Sequence, residues 1–152
     1  MRKLLMFSMV IMLFAACKTA YYGTTANVVY LSGDRETISM RSIGIGNDEQ
    51  NAQAGAEISA IEVLFFRGLP NSKQKDPLIS IDEESTKAKY SDYFNKFFNQ
   101  GRYRTFIISS YAVTSLEKVD NKTKSMAVDV TVNLKALRLD LENHGVIRKF
   151  GY

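Results

Sequence analysis

From Ser125 to Asn133 the chain reads Ser-Met-Ala-Val-Asp-Val-Thr-Val-Asn, so Met126, Val128, Val130 and Val132 alternate with Ala127, Asp129, Thr131 and Asn133. A strict period of two sends the apolar side chains to one face of a strand and the others to the opposite face. Such a strand does not suit a parallel sheet covered on both sides. It belongs to an antiparallel sheet with one solvated face, and something apolar has to cover the other. The run Tyr103 to Glu117 predicts its neighbour, joined through the turn residues Asp120-Asn121-Lys122. A second pair is expected upstream, Ala26 to Leu31 and Glu36 to Ile45, around Ser32-Gly33-Asp34. In that pair Ile38, Met40 and Ser42 point one way, and Thr37, Ser39, Arg41 and Ile43 the other.

The cover is read from periods of three and four. Gly44-Ile45-Gly46 gives way to Asn47 as a helix cap and to the acids Asp48 and Glu49, which suit the positive end of a helix. The helix runs to about Arg67, where Gly68 and Pro70 stop it. Its stripe Ala52, Ala56, Ala60 and Val63 is small enough to lie close on a sheet, and Ile58, Ile61, Leu64 and Phe65 fill the flanks. After the polar loop Asn71 to Pro77, Ser80-Ile81-Asp82-Glu83 has capping-box spacing. It opens a helix over Asp82 to Gln100, ended by Gly101, with one aromatic face of Tyr90, Tyr93, Phe94, Phe97 and Phe98. Asn133 caps a last helix, Leu134 to Asn143, closed near Gly145 with Leu134, Leu137 and Leu141 inward. The expected fold is therefore α+β: an antiparallel sheet of about four strands, with two longer helices and a short C-terminal helix packed on one face.

The first sixteen residues are read differently. Arg2 and Lys3 precede the apolar run Leu4 to Ala16, in which Ser8 is the one polar residue, the three-part pattern of a secretory signal peptide. A spanning helix needs about twenty apolar residues to cross roughly 30 Å of hydrocarbon, so this run is short for a permanent anchor. With Arg2 and Lys3 removed, Lys and Arg fall from 20 to 18 against 16 acids, and the net charge falls from +4 to +2. Cations and acids are interspersed, so nucleic acid is not an expected partner. Cys17 is the one cysteine, which excludes an intrachain disulfide and leaves the core to hold the domain. Residues 17–25 are expected to form a short tether, and 26–152 a single globular domain.

No residue pattern selects a reaction. Gly44-x-Gly46 lacks the third glycine of a dinucleotide fingerprint and the Gly-Lys-Ser/Thr of a phosphate loop, and Asp48 and Glu49 would repel an anion. His144, the single histidine, has no second histidine or further cysteine with which to hold zinc or haem; it suits a helix C-terminus instead. Asp82, Glu83 and Glu84 are explained by helix capping. Ser109 and Ser110 lie in a predicted strand, not on a nucleophile elbow. No cofactor and no enzymatic activity are expected. Arg102-Tyr103-Arg104 is the candidate ligand-binding cluster, two guanidinium forks and an aromatic ring suited to an anionic or glycan ligand.

Leu13-Phe14-Ala15-Ala16-Cys17 resembles the lipobox of bacterial lipoproteins, with Phe14 standing where Leu is usual. The resemblance implies cleavage before Cys17 and a diacylglyceryl group on its thiol, a membrane anchor for the mature chain. Lys18 replaces the aspartate that retains many lipoproteins at the inner membrane, which points to the periplasmic face of the outer membrane. From Ser39 to Ala60, a strand runs into Gly44-Ile45-Gly46 and then into a helix with Ala52, Ala56 and Ala60 at four-residue steps. This segment is similar to the N-terminal domain of flagellar assembly protein T and related small outer-membrane lipoproteins. That similarity implies a strand-helix-hairpin core in a non-enzymatic envelope protein with protein partners there. A ligand-binding module is the alternative, and a hydrolase has the least support.

Overall fold

The computed structural model describes residues 22–23 and 25–149. The leader, Cys17 and the first part of the expected tether lie outside the described residues.

The fold is α+β, as the alternation of patterns requires. Six antiparallel strands form one sheet: β1 (Tyr22–Gly23), β2 (Val28–Gly33), β3 (Thr37–Gly46), β4 (Ile107–Ala112), β5 (Glu117–Lys118) and β6 (Lys124–Asn133). Four of these are long enough to carry the architecture. β3 and β6 pair along their whole length at the centre, from Thr37 opposite Asn133 to Gly46 opposite Lys124. β1 and β2 lie on the outer side of β3, and β4 and β5 on the outer side of β6. Both edge pairings slip by one residue, between Tyr30 and Ser32 and between Ile107 and Ser109.

The two faces sort as the period of two demands. Ile38, Met40, Ser42, Val128, Val130 and Val132 are buried, while Ser39 and Thr131 share a hydroxyl contact of 2.8 Å on the open side. Beside them Arg41 grips Asp129 through two hydrogen bonds of 2.7 and 2.9 Å. Ser42 is the exception to apolar burial. Its hydroxyl is sealed in the core without a hydrogen-bond partner among the described residues.

Helix α1 (Glu49–Phe66) lies across the buried face. The cap is Asp48, one residue later than expected, whose carboxylate accepts the Asn51 N–H at 2.9 Å. Gly44 and Gly46 belong to β3, and a Cβ on either would fall within the backbone of α1 at Ala52. The glycines therefore mark where helix and strand backbones touch, and the alanine stripe completes that contact. From Ala54 to Ile61 every residue of α1 is buried, so the helix is covered on its far side as well.

The cover is the segment expected as a second long helix. It is helical but broken into α2 (Glu83–Lys89), α3 (Ser91–Phe94) and a π-helical turn, Asn95–Asn99. Asp82, not Ser80, caps α2, accepting the Ser85 N–H at 2.9 Å. Tyr90 leaves helical geometry at φ −113°, ψ 36°, and its hydroxyl donates to the Gly145 carbonyl at 2.7 Å. The wider π turn lets Phe94, Phe97 and Phe98 all approach Phe65, at 6.4, 5.3 and 6.0 Å between ring centres. The phenylalanines of the stripe expected from the helical period thus all pack on Phe65.

A correction also falls at Tyr103 to Glu117, expected as one continuous strand. Gly101 turns the chain with φ +76°, and Arg102–Phe106 forms a 3-10 turn before β4 begins at Ile107. Tyr103 and Phe106, three apart, both enter the core from this turn. Helix α4 (Leu134–Asn143) follows β6 with Asn133 as its cap, as expected. Upstream, β1 extends the sheet into the expected tether, and Thr25 is tied down beside it: its N–H donates to the Ser59 hydroxyl at 2.8 Å and its own hydroxyl donates to the Ile43 carbonyl.

Candidate functional site

Of the expected ligand-binding triplet, Arg102 is the most heavily engaged within the fold. Its guanidinium makes two 2.8 Å hydrogen bonds to Asp140 and lies 5.2 to 5.8 Å from the ring centres of Tyr93, Phe97 and Phe106. Tyr93 donates its hydroxyl to the same carboxylate at 2.8 Å. Burial raises the Asp140 carboxyl, but hydrogen bonds from Arg102 and Tyr93 outweigh it and hold the group below the ordinary range. The Tyr93 hydroxyl is pushed strongly upward, first by burial and then by its bond to Asp140. His144 ends α4 beside this cluster, with Nδ1 2.8 Å from the Asp140 carbonyl and its ring 5.0 Å from Tyr93. Arg102 thus ties the 3-10 turn to α4.

Tyr103 is 2% exposed and belongs to the core. Arg104 is exposed, with its guanidinium 5.5 Å from the Tyr103 ring centre. The three residues therefore do not form one grip. Only Arg104 can meet a ligand through its charge.

Arg104 stands at the rim of an open cleft of about 560 Å³ between the N-terminal half of α1 and the chain from the π turn into the 3-10 turn. The lining has an unusual composition: five carboxamides, Gln50, Asn51, Gln53, Asn99 and Gln100, with Glu57 and Arg104 as its charged groups. Glu57 is 7% exposed. The Gln53 amide donates to Glu57 at 3.2 Å and to the Ser110 hydroxyl on β4 at 3.0 Å, which fixes the floor of the cleft to the sheet. Asn51 and Asn99 are each held by neighbours along their own helices, Asn51 by Asp48 at 2.9 Å and Asn99 by Asn95 at 2.8 Å. The side chains of Gln50 and Gln100 are exposed and make no hydrogen bond among the described residues, and Arg104 has no carboxylate partner there. Phe98, half-buried, supplies an aromatic wall.

Chemically this is a neutral, hydrogen-bonding surface. One carboxylate among the lining residues leaves acid-base chemistry across a glycosidic bond without its second group. Among the described residues no cluster of histidine, cysteine and acidic side chains could hold a metal ion, and no helix is long and apolar enough to cross a membrane. A second groove, of about 580 Å³, is floored by Leu78, Ile79 and Val146 and edged by Lys89 and Arg148.

The cleft residues Gln50, Gln53 and Glu57 are spaced three and four apart on a helix otherwise nearly all apolar or small. That polar stripe is the signal by which sequence could have found them. Asn99 and Gln100 carry no such signal, because the π turn places them. Compared with models of protein families, with curated proteins and with solved structures, the chain gives no match.

Proposed function

We propose that the protein is a lipid-anchored component of the bacterial cell envelope, held through a diacylglyceryl group on Cys17 at the periplasmic face of the outer membrane, where its domain acts by binding and not by catalysis. The observation that carries this reading is the leader itself: a basic start, an apolar run and the single cysteine placed directly after Ala15-Ala16. One acyl chain binds a membrane only marginally, whereas two or more hold stably at about 0.8 kcal/mol per buried methylene. The resemblance to the flagellar assembly protein T domain implies a strand-helix-hairpin core, and β3, α1 and β4 to β6 follow one another in that order.

The test is Cys17→Ser, followed by membrane fractionation and metabolic labelling with palmitate. The wild-type chain is expected in the outer-membrane fraction carrying label, and the variant unlabelled and unprocessed. Normal processing and membrane retention of the variant would overturn the anchor. A second reading, that the domain is a ligand-binding module, is favoured by the carboxamide cleft, whose Gln50, Gln100 and Arg104 side chains are open to a partner.

A further inference from the structure

We infer that the cleft between α1 and the π turn binds a neutral oligosaccharide. The inference rests on the ligand-binding reading above and is independent of the lipid anchor.

Three properties of the cleft point to that class. Its formal charge is balanced, Glu57 against Arg104, and the acid sits in the floor, so a phosphate or polyanion entering the cleft would meet a carboxylate. Its polar groups are planar and bifunctional. A carboxamide offers two donors and an acceptor, and vicinal sugar hydroxyls each need both. Gln50 and Gln100 have this capacity unspent, on opposite walls of the cleft.

The third property is preorganisation. The Gln53 amide is shared between Glu57 and Ser110, so the Glu57 carboxylate is held in one place and keeps lone pairs for a hydroxyl donor. Glu57 Oε1 has that single donor, and Glu57 is one of the residues that line the cleft. Phe98 gives the wall an aromatic component on which the apolar face of a sugar ring can rest. Its own ring is braced by stacking on Phe94, at 6.2 Å and 8° between planes. A volume of about 560 Å³ falls in the range of roughly 300–1,000 Å³ found for small-ligand sites.

Oligosaccharide is favoured over peptide because the lining comes from α1, the π turn and the 3-10 turn and includes no strand with which an extended peptide could pair. The experiment uses the full processed chain, isotopically labelled, titrated separately with the tetramer of N-acetylglucosamine and with cellotetraose. Side-chain amide and backbone signals are followed by NMR. Saturable shifts confined to Gln50, Gln53, Asn99, Gln100 and their neighbours are expected for at least one sugar, with millimolar or tighter affinity. The double variant Gln50→Ala, Gln100→Ala should weaken that affinity at least tenfold; both side chains are exposed and without internal hydrogen bonds, so the melting temperature should stay unchanged. Glu57→Gln keeps the shape of the floor and is expected to weaken binding as well. Absence of saturation for both sugars up to about 10 mM overturns the inference, as does binding that the double variant leaves intact. Cleft shifts with inorganic phosphate or a tetra-alanine peptide, but with neither sugar, overturn the sugar assignment and leave the ligand-binding reading standing.

Discussion

At the scale of single residues, Asp140 is the carboxylate that joins three elements, α3, the 3-10 turn and α4. Two guanidinium hydrogen bonds and a tyrosine hydroxyl converge on it, with the rings of Tyr93, Phe97 and Phe106 shielding Arg102. Hydrogen bonds to charged groups contribute about 1.5–3 kcal/mol, so Arg102→Ala is expected to lower unfolding free energy by about 2 kcal/mol in urea titrations. Because the folded carboxyl ionises more readily than an unfolded one, its stabilisation is present above the unfolded value of about 3.9 and is lost as pH falls through the lower, folded value. Urea midpoints should therefore hold from neutral pH down to about 4 and drop below it. Asp140→Asn should start lower and show a shallower acid limb; an unchanged limb would remove Asp140 from that role. Ser42 is the opposite case, a hydroxyl sealed in the core without a partner among the described residues. Removing it spares an unmet desolvation cost of about 1–3 kcal/mol against a small loss of packing, so Ser42→Ala should leave the melting temperature unchanged or raise it.

Among the elements, the contact between β3 and α1 decides how closely the layers approach. The helix backbone rests on Gly44 and Gly46 where a Cβ would overlap Ala52. Gly44→Ala must push helix from strand, and overpacking of this kind costs about 1–3 kcal/mol, read as a lower denaturation midpoint. If the variant were as stable as the parent, the close approach would be wrong. The pair Gly44-x-Gly46, which by itself resembles the start of a phosphate loop, is thereby accounted for as packing. The aromatic segment shows the limit of local reading. Its stripe Tyr90, Tyr93, Phe94, Phe97 and Phe98 announces a helix correctly, yet at the break Tyr90 reaches Gly145, and in the π turn Phe97 and Phe98 pack on Phe65, partners that lie on other elements. The 3-10 turn of Arg102–Phe106 has the same origin. Tyr-Arg-Thr-Phe reads as the start of a strand until Asp140, thirty-eight positions on, draws Arg102 towards α4.

For the whole molecule, the sheet sets how the domain stands relative to an anchor. β1 pairs Tyr22 with Gly46, whose other neighbour is Lys124, so the chain enters at the sheet end that also carries the β5–β6 turn. Five residues from Cys17 to Tyr22 reach at most about 17 Å at roughly 3.4 Å each. The ten residues of β3 place its opposite end about 31 Å further along the strand, nine steps of roughly 3.4 Å. In vesicles carrying the lipidated protein, energy transfer from a probe at Asn121 to a headgroup dye is expected to exceed that from a probe at Asp34. Equal transfer would reject this orientation. By itself the sequence determined the α+β class, the inner and outer faces of β3 and β6, the span of α1 and of α4, and the helix stops at Gly68, Gly101 and Gly145, because these follow from period, capping and backbone sterics acting over a few residues. Tertiary structure alone decided that Arg102 pairs inward while Arg104 stays exposed, that Tyr22 joins the sheet, and that Gln50, Glu57 and Gln100 share one cleft. Those outcomes depend on which distant groups become neighbours once the core closes, and no local period encodes that proximity.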